Sequence, residues 1–274
     1  MTRGGEARAA CVTLLLVMAA LLAAPACGAK RRNAKEPVPP ERVYEMAVRK
    51  MKKKKYYRAR TMLQDLLPRI PPDDRDLLPR VQLAIADSYF AARGLLNFGE
   101  ALNSYRNFLT YFPDHPKADH AQYMVAMSLF EQVLAPDRDQ SLTRRAIDEF
   151  RKVETLYPES PYVEKARRKI EEGFDLLAEH ERVIGWFYQK RKIWGAAISR
   201  YRTILIEYPR YSKRSRVLFD LGRCLLAAGK RTEAEAFFER LSQEASDSDM
   251  VAEAEKLLAK DERRRARAAR RERR

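Results

Sequence analysis

The chain has 274 residues, 46% hydrophobic and 34% charged, with a formal net charge of +16. That apolar fraction suffices for a core and excludes wholesale disorder. Only 10 glycines are present, too few for the tight turns and bulges of a β-rich protein, so the chain reads as nearly all helix.

Residues 1–26 carry Arg3 and Arg8 ahead of an apolar run from Ala9 to Ala24, closed by Pro25 and Ala26. A basic lead, a short apolar stretch and an A-x-A end form a secretory signal, too short for a membrane span. Cys27 follows directly, and the arrangement resembles a bacterial lipobox, although Ala24 stands where Leu is usual. Acylation of Cys27 gives a firm membrane anchor, since each buried methylene adds about 0.8 kcal/mol. Plain cleavage after Ala26 instead gives a soluble exported protein that begins with Cys. Gly28 stands where the inner-membrane retention signal of such lipoproteins has Asp. Residues 29–40 lack apolar periodicity and end in Pro39 and Pro40, as a flexible tether does. Cys11 leaves with the signal. Cys224, in the apolar stretch LGRCLLAAG, reads as a buried small hydrophobe with no disulfide to make.

Charge gathers at the two ends. Between Lys30 and Arg60 lie 13 Lys and Arg against Glu36, Glu41 and Glu45, and residues 261–274 hold 8 arginines against 3 acids. Basic ends on a neutral body fit an anionic surface, or else solvated helix faces with a disordered tail. Export argues against nucleic acid as a partner.

A pattern recurs five times between these ends. Alanine is followed by large apolar residues at plus four and plus seven, as in Ala59–Leu63–Leu66, Ala101–Tyr105–Phe108, Ala146–Phe150–Val153, Ala197–Tyr201–Ile204 and Ala234–Phe238–Leu241. Those offsets share one helical face, and the first four sets meet proline at plus twelve, which ends a helix. Gly185 and Gly222 each precede the alanine by twelve residues, so two antiparallel helices can approach closely there. Lys192 and Gly229–Lys230 supply the turns. The small/large arrangement resembles the tetratricopeptide repeat, a stacked helix pair of about 34 residues.

Successive alanines are 42, 45, 51 and 37 residues apart, so insertions are present. Gly94–Gly99 is expected to lengthen one turn and Ala135–Leu142 another. From Pro161 to about Arg191 no breaker interrupts the helical stripe except Gly173. The expectation is an all-α superhelix of about five helix pairs, with a long joining helix between the third and fourth. Its segments are a signal at 1–26, a lipidated tether at 27–40, N-terminal repeats at 41–190, C-terminal repeats at 191–260 and a basic disordered tail at 261–274.

No catalytic chemistry is visible. His115 and His120 do not share a helical face, and with His180 they read as scattered surface residues rather than a zinc site. No phosphate-cradling loop or nucleophile elbow occurs. The expectation is a non-enzyme with no cofactor, no metal and no small-molecule substrate.

The run HPKADHAQYMVAMSL, the DRD loop at Asp137–Asp139, the Tyr157–Tyr162 corner and the LAEHE stretch resemble the BamD-type outer-membrane assembly lipoproteins. The likeness spans roughly residues 37–245. It implies a lipid-anchored scaffold on the periplasmic face of the outer membrane. Its C-terminal repeats would bind the POTRA domains of a BamA-like barrel protein, and its N-terminal repeats would bind unfolded outer-membrane proteins. The family's arginine that pairs with an acidic POTRA residue aligns with Arg200. An ordinary exposed helix arginine is the alternative reading of that position. The basic run Arg49–Arg60 could favour a substrate ending in a carboxylate. Another envelope tetratricopeptide adaptor, in cell-wall synthesis or secretion, is the alternative function; it should lack the joining helix and the DRD insertion.

Overall fold

The computed structural model describes residues 38–244 and 248–273. From Pro40 onward the described residues form helices, turns and loops with no strand. The helices are α1 (Pro40–Lys52), α2 (Tyr56–Leu66), α3 (Leu77–Ala92), α4 (Leu95–Tyr111), α5 (Ala118–Phe130), α6 (Ser141–Leu156), α7 (Val163–Lys190), α8 (Trp194–Glu207), α9 (Arg214–Ala227), α10 (Arg231–Glu244) and α11 (Ser248–Glu272). Each of α1 to α10 packs on the next in the chain, and α11 folds back on α9 and α10. Sequence neighbours are therefore spatial neighbours, as in a stacked-repeat fold.

The five alanine sets lie on α2, α4, α6, α8 and α10, and none of their fifteen residues is more than 5% exposed. Alanine and glycine hold the backbones close, and the aromatic rings fill what remains. A Cβ at Gly222 would lie 2.5 Å from the Phe238 ring, so only glycine fits there without movement. Lys192 (φ 61°) and Gly229 (φ 79°) take the left-handed backbone that follows α7 and α9. Cys224 is fully buried in this stack, and burial followed by the nearby Asp220 charge pushes its thiol up to about 12.

Helix α7 has 28 residues, about 42 Å at 1.5 Å per residue. Its first half places Val163, Ala166, Ile170 and Leu177 in one core with α4, α5 and α6. Ala178 begins a second core with α8, α9 and α10. Gly173 costs about 1 kcal/mol of helix propensity. It also admits Ile147 of α6, whose Cγ1 would stand 2.7 Å from an added Cβ. A third core joins α1, α2 and α3 around Leu63, Leu66 and Val81.

The insertion expected at Ala135–Leu142 is a loop at residues 131–140 between α5 and α6, with Ser141 and Leu142 already inside α6, and it is pinned. Gln140 donates to the carbonyls of Ala135 (3.0 Å) and Arg138 (3.2 Å), and His180 Nδ1 lies 2.5 Å from the Pro136 carbonyl. Two expectations fail. Gly94–Gly99 lengthens no turn: Arg93 and Gly94 alone make it, with φ of 56° and 91°, and Gly99 lies inside α4. The surplus length sits instead between α2 and α3. The basic tail is not disordered, because α11 continues to Glu272. Arginine and alanine are strong helix formers, and Asp261 pairs with Arg264 (2.9 Å) and Arg265 (2.8 Å) at helical spacing.

The histidines are not scattered on the surface either. His120 of α5 reaches Asp87 of α3 through Nε2 (3.2 Å) and the Tyr162 hydroxyl through Nδ1 (3.0 Å). The same Asp87 oxygen accepts the Tyr105 hydroxyl of α4 at 2.6 Å. One polar knot thus ties four segments.

Candidate functional site

The α7–α8 pair carries the residue singled out in the sequence. Tyr201 of α8 points at Gly185, so Arg200, one position earlier, falls at the edge of the contact. Its Nη1 donates to Glu181 Oε2 at 2.9 Å, leaving Arg200 43% exposed and Glu181 13%. Arg200 is thus held by its own chain in a half-exposed position. Holding a guanidinium in one orientation reduces the entropy that a second carboxylate must overcome.

The end of α7 adds apolar surface. Trp186, Phe187 and Ile193 are about half exposed, although Tyr188 between them packs inward. Lys190 lies over the Trp186 ring (5.3 Å) and Arg191 over Phe187 (3.5 Å). Exposed aromatics beside arginine are the composition of an interface core. The sequence stripe passed over Trp186 and Phe187 because they lie off the buried face.

The α8–α9 loop is locked onto α7 by charge. Glu179 accepts hydrogen bonds from Arg182 (2.5 Å), Lys213 (3.3 Å) and the Tyr211 hydroxyl. Burial alone would raise the Glu179 carboxyl, but the bonds from Arg182 and Tyr211 outweigh it and hold the group at about 2. Asp175 accepts the Ser212 backbone N–H at 3.1 Å. Alongside, an open cleft of about 940 Å³ runs between α7 and this loop, with Ile170, Phe174, Tyr208 and Arg168 in its wall.

At the other end of the array the basic run divides in two. Lys52, Lys53, Lys54 and Lys55 are exposed at the α1–α2 turn, beside the exposed Tyr57. Arg60 turns inward instead: it is 8% exposed, stacks over the Tyr89 ring at 3.9 Å and donates to Ser88 Oγ at 3.4 Å. Only the lysine turn and its exposed neighbours can meet a ligand.

Among the described residues no His, Cys, Asp and Glu cluster is placed to hold a metal ion, and no helix is long and apolar enough to cross a membrane. Cys27, the expected lipidation site, lies outside the described residues.

Comparison with known proteins adds the family. A protein in Caulobacter vibrioides described as outer membrane protein assembly factor BamD is 34% identical over 137 residues, 50% of this chain and 45% of that protein. The aligned segment thus spans less than half of that relative. The same description applies to a Rickettsia prowazekii protein, 26% identical, with 90% of this chain and 96% of that one aligned. A Xylella fastidiosa counterpart is 24% identical over 79% of this chain and 76% of its own length. Solved structures of MamA (17% identity, TM-score 0.32, 81% and 94% of the two chains) and of a thermophilic TPR protein from Thermus thermophilus (14%, 0.35, 81% and 100%) are also similar. The model of the YfiO outer membrane lipoprotein family matches residues 36–241. The chain belongs to that family.

Proposed function

We propose that the protein is a scaffold for assembly of outer-membrane proteins, lipid-anchored through Cys27 on the periplasmic face of the outer membrane. The observation that carries this reading is the family match over residues 36–241, which runs from α1 into α10. The α7–α8 pair supplies the docking surface for the POTRA domains of a BamA-like barrel protein. Arg200 presents a charge to an acidic residue there, and the half-exposed aromatics at the end of α7 supply apolar area. The lysine turn between α1 and α2 draws the C-terminal carboxylate of an unfolded outer-membrane protein. The role is that of an adaptor and needs no reaction, cofactor or small-molecule substrate.

Depletion tests it. Barrel proteins should vanish from the outer membrane while export across the inner membrane continues, and pull-down from solubilised outer membrane should recover a BamA-like barrel. Normal barrel levels after depletion would sink the reading.

A further inference from the structure

Helix α11 shows two faces of opposite character. Toward the repeat body, Ala254 is 2% exposed, and Leu257 and Leu258 pack against the core of α8, α9 and α10. Asp261, also buried, holds Arg231 of α10 at 3.5 Å together with Arg264 and Arg265 of its own helix. These contacts fix the rotation of α11 about its axis.

Lys256, Lys260, Arg263, Arg267 and Arg271 point away from that face, Arg264 sits at its edge, and the six line one open stripe. Their spacings of three and four, with Arg264 and Arg271 closing the second row, keep them within about 120° of arc. The stripe is about 23 Å long at 1.5 Å per residue. Of the six, Arg264 alone forms an ion pair with a described residue. Every described residue after Asp261 is exposed. Cations at this spacing repel one another, and the acids nearby are too few to offset them. Such a row gains most from an opposing array of negative charge.

The composition of the stripe selects among anionic partners. Residues 256–273 contain no aromatic side chain on which a base could stack. Beyond Leu258 the only apolar residues are alanines, so the helix offers no face for insertion among acyl chains. A straight, exposed row of diffuse cations fits a plane of phosphate head groups. We infer that α11 lies on the anionic phospholipid surface of the membrane and binds it by charge alone, without inserting. This rests on membership in an outer-membrane lipoprotein family and not on the barrel-assembly reading, which its assay does not probe.

The test uses the exported full chain carrying Cys27→Ser, so that no acyl chain contributes, in co-sedimentation with vesicles. Binding is expected to vesicles of mixed phosphatidylethanolamine and phosphatidylglycerol, not to vesicles of phosphatidylcholine alone, and it should disappear in high salt. Each cation near the surface contributes about fivefold. Arg263→Gln, Arg267→Gln and Arg271→Gln together should therefore weaken binding roughly a hundredfold, with helicity retained because glutamine is a good helix former. Replacing Lys52, Lys53, Lys54 and Lys55 with glutamine separates the other basic end, and most binding should survive. Equal binding to both kinds of vesicle would overturn the inference. So would undiminished binding of the triple variant, or a photo-crosslinker at position 267 that captures an acidic protein in native membranes instead of lipid.

Discussion

Gly185 and Tyr201 are complementary: a methyl group on Gly185 would stand 2.8 Å from Cε1 of the Tyr201 ring, well inside contact distance. The Tyr201 hydroxyl is meanwhile tied to the Gln189 amide one turn further along α7, at 2.6 Å. The ring is held at both ends and cannot swing aside. Gly185→Ala should therefore destabilise the protein by about 1–3 kcal/mol through overpacking. Gly99 of α4 meets no heavy atom within 4 Å of its added Cβ, so Gly99→Ala should stabilise by roughly 0.5–1 kcal/mol. Urea denaturation of the two variants should give shifts of opposite sign.

Arg200→Glu should weaken binding of a purified POTRA fragment at least tenfold with the helical circular dichroism unchanged, as expected for loss of a close interfacial charge pair. The substitution also sets a carboxylate beside Glu181, so a second variant is informative. Glu181→Gln removes the opposing charge 2.9 Å from Arg200 without changing the charge of Arg200 itself. Titration calorimetry should then show affinity kept within a few fold. Unaltered affinity of Arg200→Glu would leave that arginine as an ordinary surface residue.

The clamp at Glu179 predicts a response to acid. The folded carboxyl sits at about 2 against an ordinary value of 4.5. A depressed pKa means that stabilisation is complete above about pH 4.5 and is lost as pH falls through the folded value. The loss should amount to on the order of 2 kcal/mol once partial solvent screening is allowed for. Glu179→Gln should remove much of the acid sensitivity between pH 4.5 and 2 while lowering stability at neutral pH. Thermal melts across that range measure both effects.

Arg60 tests whether the whole basic run serves binding. Its guanidinium is buried over Tyr89 and bonded to Ser88, so Arg60→Ala should cost about 1–3 kcal/mol of stability through lost packing and an unsatisfied site. Substituting Lys53 and Lys54, both exposed, should leave stability within about 0.5 kcal/mol. If the lysine turn draws the substrate carboxylate, only the second pair of changes should slow capture of a peptide ending in a free carboxylate. The comparison is a melt and a binding isotherm on each variant.

The repeat was legible because its signal is local. Ala146, Phe150 and Val153 share one face whatever their surroundings, and all three are fully buried. The same holds for the uninterrupted run that became α7. Features set by contacts distant in sequence were not legible. Nothing near Arg60 says that Tyr89, 29 residues away, will cover it, and nothing near His120 announces Asp87 and Tyr162. The helical tail was misread for a related reason. High charge suggested disorder, while the residue that anchors it, Asp261, depends on Arg231 across the stack. Trp186 and Phe187 escaped notice because an apolar side chain on the exposed face breaks no rule of repeat packing.

Helix α7 belongs to two cores at once, and it is one unbroken rod. Ordinary repeat arrays flex at the joints between units, each joint giving a little. Here the joint between the third and fourth units is replaced by a lever of about 42 Å. A tilt of about 5° at one end must carry the other by roughly 4 Å over that length. Whatever docks on the C-terminal units is therefore geometrically registered with whatever the N-terminal units hold. Partners bound at the two ends of the array, as proposed, would be held at a distance and angle set by this rod.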